Sequence, residues 1–282
     1  MKPAPFAYAK ARSVEDAVKL LGEHGEGARL LAGGQSLMAT LNMRLSQPSI
    51  LIDLNGISGL DGIAVNDGML EIGALVRHAA AAKSDIVAKH APLIAMAMPH
   101  IAHPAIRNRG TIGGSIAFAD PAAELPACFL ALSGEAEIVG KGGRRWVKAD
   151  DYFKGLYETA IGQDEMLTAV RLPVATPAMR YGFAELSRRH GDYAIAGLAA
   201  SARADGGTLK DVRLAYFGVG LTPVRAKGAE AALANGSIDD AVKALASDLD
   251  PPDDIQETGA VKKHLAGVLL RRVAAQMTGA RA

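Results

Sequence analysis

Residues 29–41 read RLLAGGQSLMATL, in which two adjacent glycines lie between two apolar segments. The run from Arg29 to Ala32 predicts a strand and the following SLMATLNMRL predicts a helix, so Gly33 and Gly34 fall at the turn between them. Because glycine has no Cβ, a ligand can approach its backbone N–H groups closely. The same pair also occurs in ordinary tight turns, which is the simpler explanation of this segment taken alone.

A second glycine pair, Gly113-Gly114, lies in RNRGTIGGSIAFAD (107–120). Each pair follows an apolar segment and precedes a small polar residue, and successive exposed N–H groups form a concavity that favours phosphate. The hydroxyls of Ser36, Thr111 and Ser115 can add donors. Two such loops would hold the two phosphates of a dinucleotide. Neither G-x-G-x-x-G nor G-x-x-x-x-G-K-[ST] occurs in the sequence, so any nucleotide would be bound by another fold.

The composition and net charge of the 282-residue sequence exclude several classes of protein. A net charge of +1 gives no basic footprint for nucleic acid. The single cysteine, Cys128, cannot form an internal disulfide, an iron–sulfur site or a structural zinc site alone, and the seven histidines show no metal-ligand spacing. No apolar run approaches the ~20 residues of a membrane span, and no secretory signal is visible. We therefore expect a cytoplasmic protein that binds no metal or nucleic acid and has no membrane span.

The first half of the sequence alternates strand and helix patterns. Ser13 with Asp16 predicts a capped helix, and SILIDL (49–54) predicts a strand that ends near Asp53. Asn66-Asp67-Gly68 between two apolar runs predicts a hairpin. Residues 76–98 are predicted to be helical. These elements indicate small α/β units.

The pattern changes after VATPAM (174–179), which has the composition of a linker. Three strands follow, in RYGFAELS, AIAGLAASARAD and LKDVRLAYFGV, and then three helices. The last helix is predicted to bury one apolar face, which consists of Val261, Leu265, Val268, Leu269 and Val273. We place the domain boundary near residue 176, with a first domain of residues 1–176, divided at about residue 56 into two α/β subdomains (1–56 and 57–176), and a second domain of residues 177–282.

AGGQSL (32–37) and IRNRGTIGGSIAFADPAAELPA (106–127) together resemble the FAD-binding medium subunit of molybdenum hydroxylases, the family of xanthine dehydrogenase and aerobic carbon monoxide dehydrogenase. The similarity continues through SRRHGDYA (187–194) and KKHLAGVLLRR (262–272) and covers essentially the whole chain. It implies an α+β fold, in which a two-subdomain PCMH-type FAD-binding domain precedes a small C-terminal domain with a three-stranded antiparallel sheet and helices.

The resemblance also implies a set of FAD-binding residues. The first glycine segment would contact the pyrophosphate, Glu124 would hydrogen-bond the cofactor, and Tyr193 would lie beside the isoalloxazine ring. The whole set is Leu31, Ala32, Gly33, Gly34, Gln35, Ser36, Leu37, Met38, Ile101, Thr111, Gly113, Gly114, Ser115, Glu124, Leu167 and Tyr193. Many members of the family have Asn or Asp at the position of Ser115 and Asp at the position of Glu124. Some have a lysine that contacts the cofactor at the position of Ala184. The hydrogen bonds that those residues make to the cofactor therefore need not occur here. With Gln at position 35, FAD is expected to be non-covalent.

The function implied by the resemblance is electron transfer, with no catalytic residue and no metal on this chain. A large subunit would carry the molybdenum cofactor and a small subunit two [2Fe-2S] clusters, as a dimer of heterotrimers. FAD would collect electrons from these clusters and pass them to an external acceptor. Two alternatives stay open: a self-contained flavin oxidase or reductase, and a flavin-free bridging subunit. The substrate and the acceptor are not specified by the sequence.

Overall fold

The computed structural model describes residues 2–279 and begins with a small parallel sheet. Its elements are β1 (Ala7–Lys10), α1 (Val14–His24), β2 (Ala28–Leu31), α2 (Leu37–Asn42) and β3 (Ile50–Asp53). The strand order is β1-β3-β2, all parallel, and Ser13 caps α1 by accepting a bond from the Asp16 N–H, as predicted. Leu31 pairs with Asp53, so the first glycine loop leaves the carboxyl edge of this sheet, where open α/β sheets bind ligands.

The second unit is an antiparallel sheet with helices packed on it. It contains the strands β4 (Ile63–Asn66), β5 (Met69–Gly73), β6 (Glu135–Gly140), β7 (Gly143–Lys148), the ribbon β8 (Phe153–Gly155) and β9 (Glu158–Thr159), and β10 (Met166–Pro173). The sheet order is β4-β5-β10-β6-β7. Asp67 and Gly68 have φ of 48° and 75°, which is the two-residue turn expected of the predicted hairpin.

The helices of this unit are short. They are α3 (His78–Ala82), α4 (Asp85–His90), α5 (Pro92–Ala97), α6 (Pro104–Arg107), α7 (Ile112–Phe118), α8 (Glu124–Ala131) and α9 (Ala149–Tyr152). The helical character predicted for residues 76–98 is confirmed, and it is divided among the three helices α3, α4 and α5. Ser84 starts α4 by accepting a bond from the Val87 N–H. Pro92 cannot continue α4, since it lacks an N–H and disfavours the helical conformation at Ala91.

The third unit is a sheet covered by helices on one face. It comprises β11 (Met179–Leu186), β12 (Ala196–Asp205), β13 (Thr208–Phe217), β14 (Val224–Arg225), α10 (Lys227–Ala234), α11 (Ile238–Asp248) and α12 (Gly259–Thr278). The three predicted antiparallel strands are confirmed, and the two-residue β14 extends their sheet beside β13. The predicted domain limits at residues 56 and 176 stay predictions.

The buried face of α12 differs from the predicted one. Leu269 and Val273 are buried as expected, whereas Val261 is 38% exposed. The apolar pattern missed Lys262, which is buried because its Nζ lies 2.6 Å from Asp254 Oδ2. The other buried positions of α12 include small residues such as Ala266 and Ala274. The buried face of the helix is therefore rotated about the helix axis relative to the face that the large apolar side chains predict.

Helix α8 joins the second and third units. All eight of its residues are buried, and its side chains share a core with Phe183 and Phe217 of the third unit. Ser201 Oγ donates to Ala131 O at 2.7 Å, and Arg213 donates to Leu130 O. Glu124, the first residue of α8, therefore lies where the two units meet. No helix within residues 2–279 is long and apolar enough to cross a membrane.

Candidate functional site

The loop between β2 and α2 presents a row of free backbone donors. Gly34 has φ of 72°, a conformation that favours glycine. In the described part of the chain, the backbone N–H groups of residues 34–37 have no acceptor. Gln35 folds back to donate to Gly33 O at 3.0 Å. Consecutive N–H groups around a left-handed residue form an anion-binding concavity, so this loop can hold phosphate.

Gly33 has a different role from Gly34. A Cβ at Gly33 would lie 2.4 Å from Arg109 O and 2.8 Å from Gly110 Cα. The first glycine loop is thus in backbone contact with the residues that precede the second glycine pair. Close packing inside the protein already requires glycine at position 33, whether or not a ligand is bound.

The second glycine pair does not form a loop, contrary to the sequence analysis. Gly113 and Gly114 lie in the first turn of α7, and Thr111 caps that helix. Their N–H groups donate hydrogen bonds within the protein, Gly113 to Ala74 O at 3.0 Å and Gly114 to Thr111 Oγ1 at 3.0 Å. A Cβ at Gly113 would lie 2.4 Å from Ala74 Cβ. This pair therefore packs α7 against β5, and free amides are offered only by the first loop.

Arg77 and Asn55 connect the two glycine segments. Asn55 Nδ2 donates to Ala32 O at 2.9 Å, and Arg77 Nη2 donates to Asn55 Oδ1 at 2.5 Å. The other Arg77 nitrogen, Nη1, donates to Arg109 O. Burial and the neighbouring Arg109 lower the pKa of Arg77. The guanidinium adds positive charge beside the free amides and fixes both segments, which favours an anion there.

The sequence analysis missed both bridging residues. Asn55 follows the end of β3, a position where polar residues often face ligands, so a signal was present. Nothing in the local pattern distinguishes Arg77. Of the two arginines that flank the second segment, Arg107 donates to Ile101 O and Ala102 O, each at 2.8 Å, and Arg109 is exposed.

Replacing Arg77 by lysine is expected to weaken FAD binding by roughly 10- to 100-fold. Lysine keeps the charge but cannot bridge Asn55 Oδ1 and Arg109 O, and bonds to charged groups contribute about 1.5–3 kcal/mol. Fluorescence titration of the variant with FAD measures the loss. Arg29→Gln is the control, because Arg29 also donates to two backbone carbonyls in the first unit. Equal affinity in wild type and Arg77→Lys would show that only the charge matters.

Three of the predicted residues converge at the other end of α7. Ile101 and Glu124 are buried, and Tyr193 is 54% exposed. The turn after Ile101 contacts the loop that carries Tyr193, since a Cβ on Gly191 would lie 2.8 Å from Ala102 O. Both residues of this contact have positive φ, 44° at Ala102 and 89° at Gly191. The backbone contact fixes the loop and thereby the position of Tyr193.

Buried carboxyls surround Tyr193. Burial raises the pKa of Asp120, while hydrogen bonds from the Ala122 N–H and the hydroxyls of Tyr193 and Tyr157 lower it. Burial raises the pKa of Glu124 to about 7, and the neighbouring Glu185 adds to the shift. The surface between the first glycine loop and Tyr193, called the cleft below, is therefore aromatic and acidic at this end and cationic near Arg77.

The remaining predicted residues take various positions. Leu31 and Met38 flank Gly34, while Leu37 begins α2 and Ser36 precedes it. Ser115 is half-buried on α7. Leu167 is buried in β10, in the core, and contributes almost no surface to the cleft. The cofactor contacts of all these residues stay predictions. No group of three or more potential metal ligands occurs between residues 2 and 279.

Comparison with known proteins places this cleft in a family. Residues 4–175 match the model of the FAD binding domain in molybdopterin dehydrogenase, and residues 181–277 match the CO dehydrogenase flavoprotein C-terminal domain. The chain is 40% identical over 278 residues to the nicotine 6-hydroxylase medium subunit of Paenarthrobacter nicotinovorans, covering 96% of this chain and 97% of that one. It is 37% identical over 282 residues to the 6-hydroxypseudooxynicotine dehydrogenase complex subunit alpha of the same organism, covering 98% and 95%.

A solved structure gives the same result. A chain of carbon monoxide dehydrogenase from Hydrogenophaga pseudoflava superimposes with a TM-score of 0.96 at 36% identity, covering 100% of both chains. The agreement over the full length extends to the third unit as well as to the two that form the cleft.

Proposed function

The chain belongs to the FAD-binding medium subunits of molybdenum hydroxylase-type dehydrogenases, and we propose that it takes electrons from the [2Fe-2S] clusters of a partner subunit and passes them to an external acceptor. It is an oxidoreductase subunit with an FAD-binding domain. We add to this the direction of electron flow, from the clusters of a partner subunit to an external acceptor.

The observation that carries the proposal is the row of free N–H groups at residues 34–37. FAD has a pyrophosphate, and this loop, with Arg77 beside it, offers amide donors and positive charge to such a group. The acidic, aromatic end of the cleft lies at the far end of α7, where a planar ring would meet Tyr193. The residues present therefore fit FAD.

The roles of the residues follow from this arrangement. When bound, FAD supplies the capacity to take up and release two electrons, singly or together. The loop at 33–37 would hold the pyrophosphate, Arg77 would keep that loop against the second segment, and Tyr193 would lie beside the ring. No residue of the chain is assigned a catalytic role, because binding, orientation and exclusion of water are what a cofactor of this kind needs from its protein.

The proposed partners are a large subunit with the molybdenum cofactor and a small subunit with two [2Fe-2S] clusters, in a cytoplasmic dimer of heterotrimers. One relative is named a medium subunit and another a subunit of a dehydrogenase complex, which supports a multi-subunit assembly. Those names mention nicotine and 6-hydroxypseudooxynicotine, while a solved relative is a carbon monoxide dehydrogenase. Such different substrates at similar identity support the view that another subunit selects the substrate.

The test is to purify the complex from its host with a tag on this chain. We expect two further subunits, with molybdenum and iron, and FAD that is bleached by substrate only when all three are present. The isolated chain with FAD is the control and should not be reduced by substrate. Reduction of the FAD-loaded chain alone would support a self-contained oxidase or reductase, and a complex without flavin would support a bridging subunit. Either result would overturn the proposal.

A further inference from the structure

We propose that Glu124, Glu185 and His100 form a proton-holding site that takes up one proton from water when the bound flavin is reduced. The inference rests on the proposed function, because it requires FAD in the cleft. It adds a second role to the chain, since the protein would then carry a proton for each pair of electrons as well as position the ring.

His100 and Glu124 come from the second unit and Glu185 from the third, and the charges of Glu185 and His100 both act on Glu124. Glu185 lies on β11, Glu124 begins α8, and His100 follows α5. His100 Nδ1 lies 3.3 Å from Glu185 Oε1, and the Glu185 side chain is only 4% exposed. The second Glu185 oxygen, Oε2, is buried and has no hydrogen-bond partner in the described part of the chain. A buried carboxylate oxygen without a partner is unfavourable, so this oxygen is open to a hydrogen bond from a further donor.

The charges around this point do not balance. Burial raises the pKa of Cys128, and both Glu124 and Glu185 raise it further, so the two carboxyls lie close to the same buried thiol. Asp120 adds a third buried carboxyl. Opposing them is His100, whose pKa is raised by its bond to Glu185, with the exposed His190 stacked on it at 5.9 Å. One imidazolium can neutralise one carboxylate, so another carboxyl is protonated near neutral pH.

Two tyrosines near this site add no charge. Tyr157 and Tyr193 face Asp120, and both are neutral because burial and Asp120 raise the pKa of their hydroxyls. Burial raises the pKa of Glu124 to about 7, which is consistent with a proton shared at this site. His100 retains 34% exposure of its side chain and connects the buried carboxyls to water.

The site is at the ring end of the proposed flavin cleft. Helix α7 runs from Thr111, beside the first glycine loop, to Phe118, whose ring lies 4.9 Å from that of Tyr157. Its seven residues span roughly 10 Å, which suits the ribityl chain between the pyrophosphate and the ring. Ile101, next to His100, and Tyr193 lie at the same end.

The proposed step is balanced. Reduction of bound flavin by two electrons from an iron–sulfur reductant, with one proton taken up on the ring, would add one negative charge beside these residues. That charge raises the proton affinity of the nearby carboxyls. One carboxylate of the Glu124–Glu185 pair then takes a proton from water through His100, and the pair returns it when the flavin is reoxidised. The total is two electrons and two protons.

The test is the pH dependence of the midpoint potential of FAD bound to the full chain, measured by spectroelectrochemical titration. Below a pH of about 7 the site is already protonated while the flavin is oxidised. The midpoint potential should then change with pH by the slope that corresponds to one proton per electron pair. Above that pH the site is ionised before reduction and takes up a proton on reduction, so the slope should steepen to roughly two protons per pair. Ionisation of the reduced ring itself would give the opposite bend.

Glu185→Gln and Glu124→Gln should each remove the bend and give one proton per pair throughout, and the slope above the bend thus falls about twofold. Glu165→Gln is the matched control, because Glu165 pairs with Arg145 of β7 and should keep the bend. If either variant fails to fold, the other decides.

The FAD content is measured before the titration. Absence of FAD from the wild-type complex would overturn the proposed function. If FAD is bound but the wild type shows no bend, or if both variants keep the bend, the proton site alone is overturned.

Discussion

Replacing Gly34 by alanine is expected to abolish tight FAD binding, with a loss of at least about 100-fold in affinity. Gly34 has φ of 72°, and a residue with a Cβ there costs roughly 1–2 kcal/mol. The new Cβ would also lie 3.2 Å from Leu31 Cδ1 and 3.3 Å from Met38 Cγ. The loop relieves this strain by changing the direction of the N–H groups at 34–37, and several phosphate bonds are lost together.

The matched control is Gly207→Ala. Gly207 has φ of 86°, and no atom lies within 4 Å of its added Cβ. It carries a similar backbone cost in the turn between β12 and β13, remote from the cleft. Thermal unfolding of the two apoproteins should shift by similar amounts, while flavin fluorescence titration should show normal FAD affinity only in Gly207→Ala. Wild-type affinity in Gly34→Ala would remove the loop from the binding site.

Replacing Gly33 by alanine is expected to destabilise the apoprotein by about 1–3 kcal/mol and to weaken FAD binding as a consequence. The added Cβ would lie 2.4 Å from Arg109 O, so the two glycine segments must move apart. The Asn55–Arg77 bridge between them is then lengthened. The stability loss is present without FAD, because the clash is inside the protein.

Urea unfolding of the apoprotein separates this packing role from a role in ligand contact. Gly62→Ala is the control, since Gly62 has ordinary φ and open space around an added Cβ. Gly62→Ala should be close to wild type in both stability and FAD affinity. An unchanged free energy of unfolding in Gly33→Ala apoprotein, combined with lost FAD binding, would mean that Gly33 serves only the cofactor.

Local patterns in the sequence predicted most of the fold. The Asn66-Asp67-Gly68 hairpin, the Ser13 cap and the three main strands of the third unit all depend on residues close together in the chain. The helical prediction for residues 76–98 is confirmed, but it did not include the breaks at Ser84 and Pro92, where a new cap and a missing N–H interrupt the backbone bonds. The α12 face was rotated because a salt bridge buries Lys262, which no apolar pattern includes.

The candidate site was predicted less completely, for a physical reason. The first glycine loop was found because its signal is local, a glycine with positive φ at a strand end. The bridge from Arg77 to Asn55 and Arg109 spans 22 and 32 residues of sequence and depends on how two units pack. The same holds for Glu185 and His100, which meet only when β11 lies against the turn after α5.

The most direct test of the account is a titration of the full chain with FAD and, separately, with FMN, followed by flavin fluorescence and calorimetry. The loop at 33–37 is argued to bind a pyrophosphate, and FMN has the same ring with a single phosphate. We expect tight binding of FAD, much weaker binding of FMN, and loss of this preference in Gly34→Ala. Equal affinity for the two flavins, or an unchanged preference in Gly34→Ala, would contradict the assignment of the free N–H groups at residues 34–37 to the pyrophosphate.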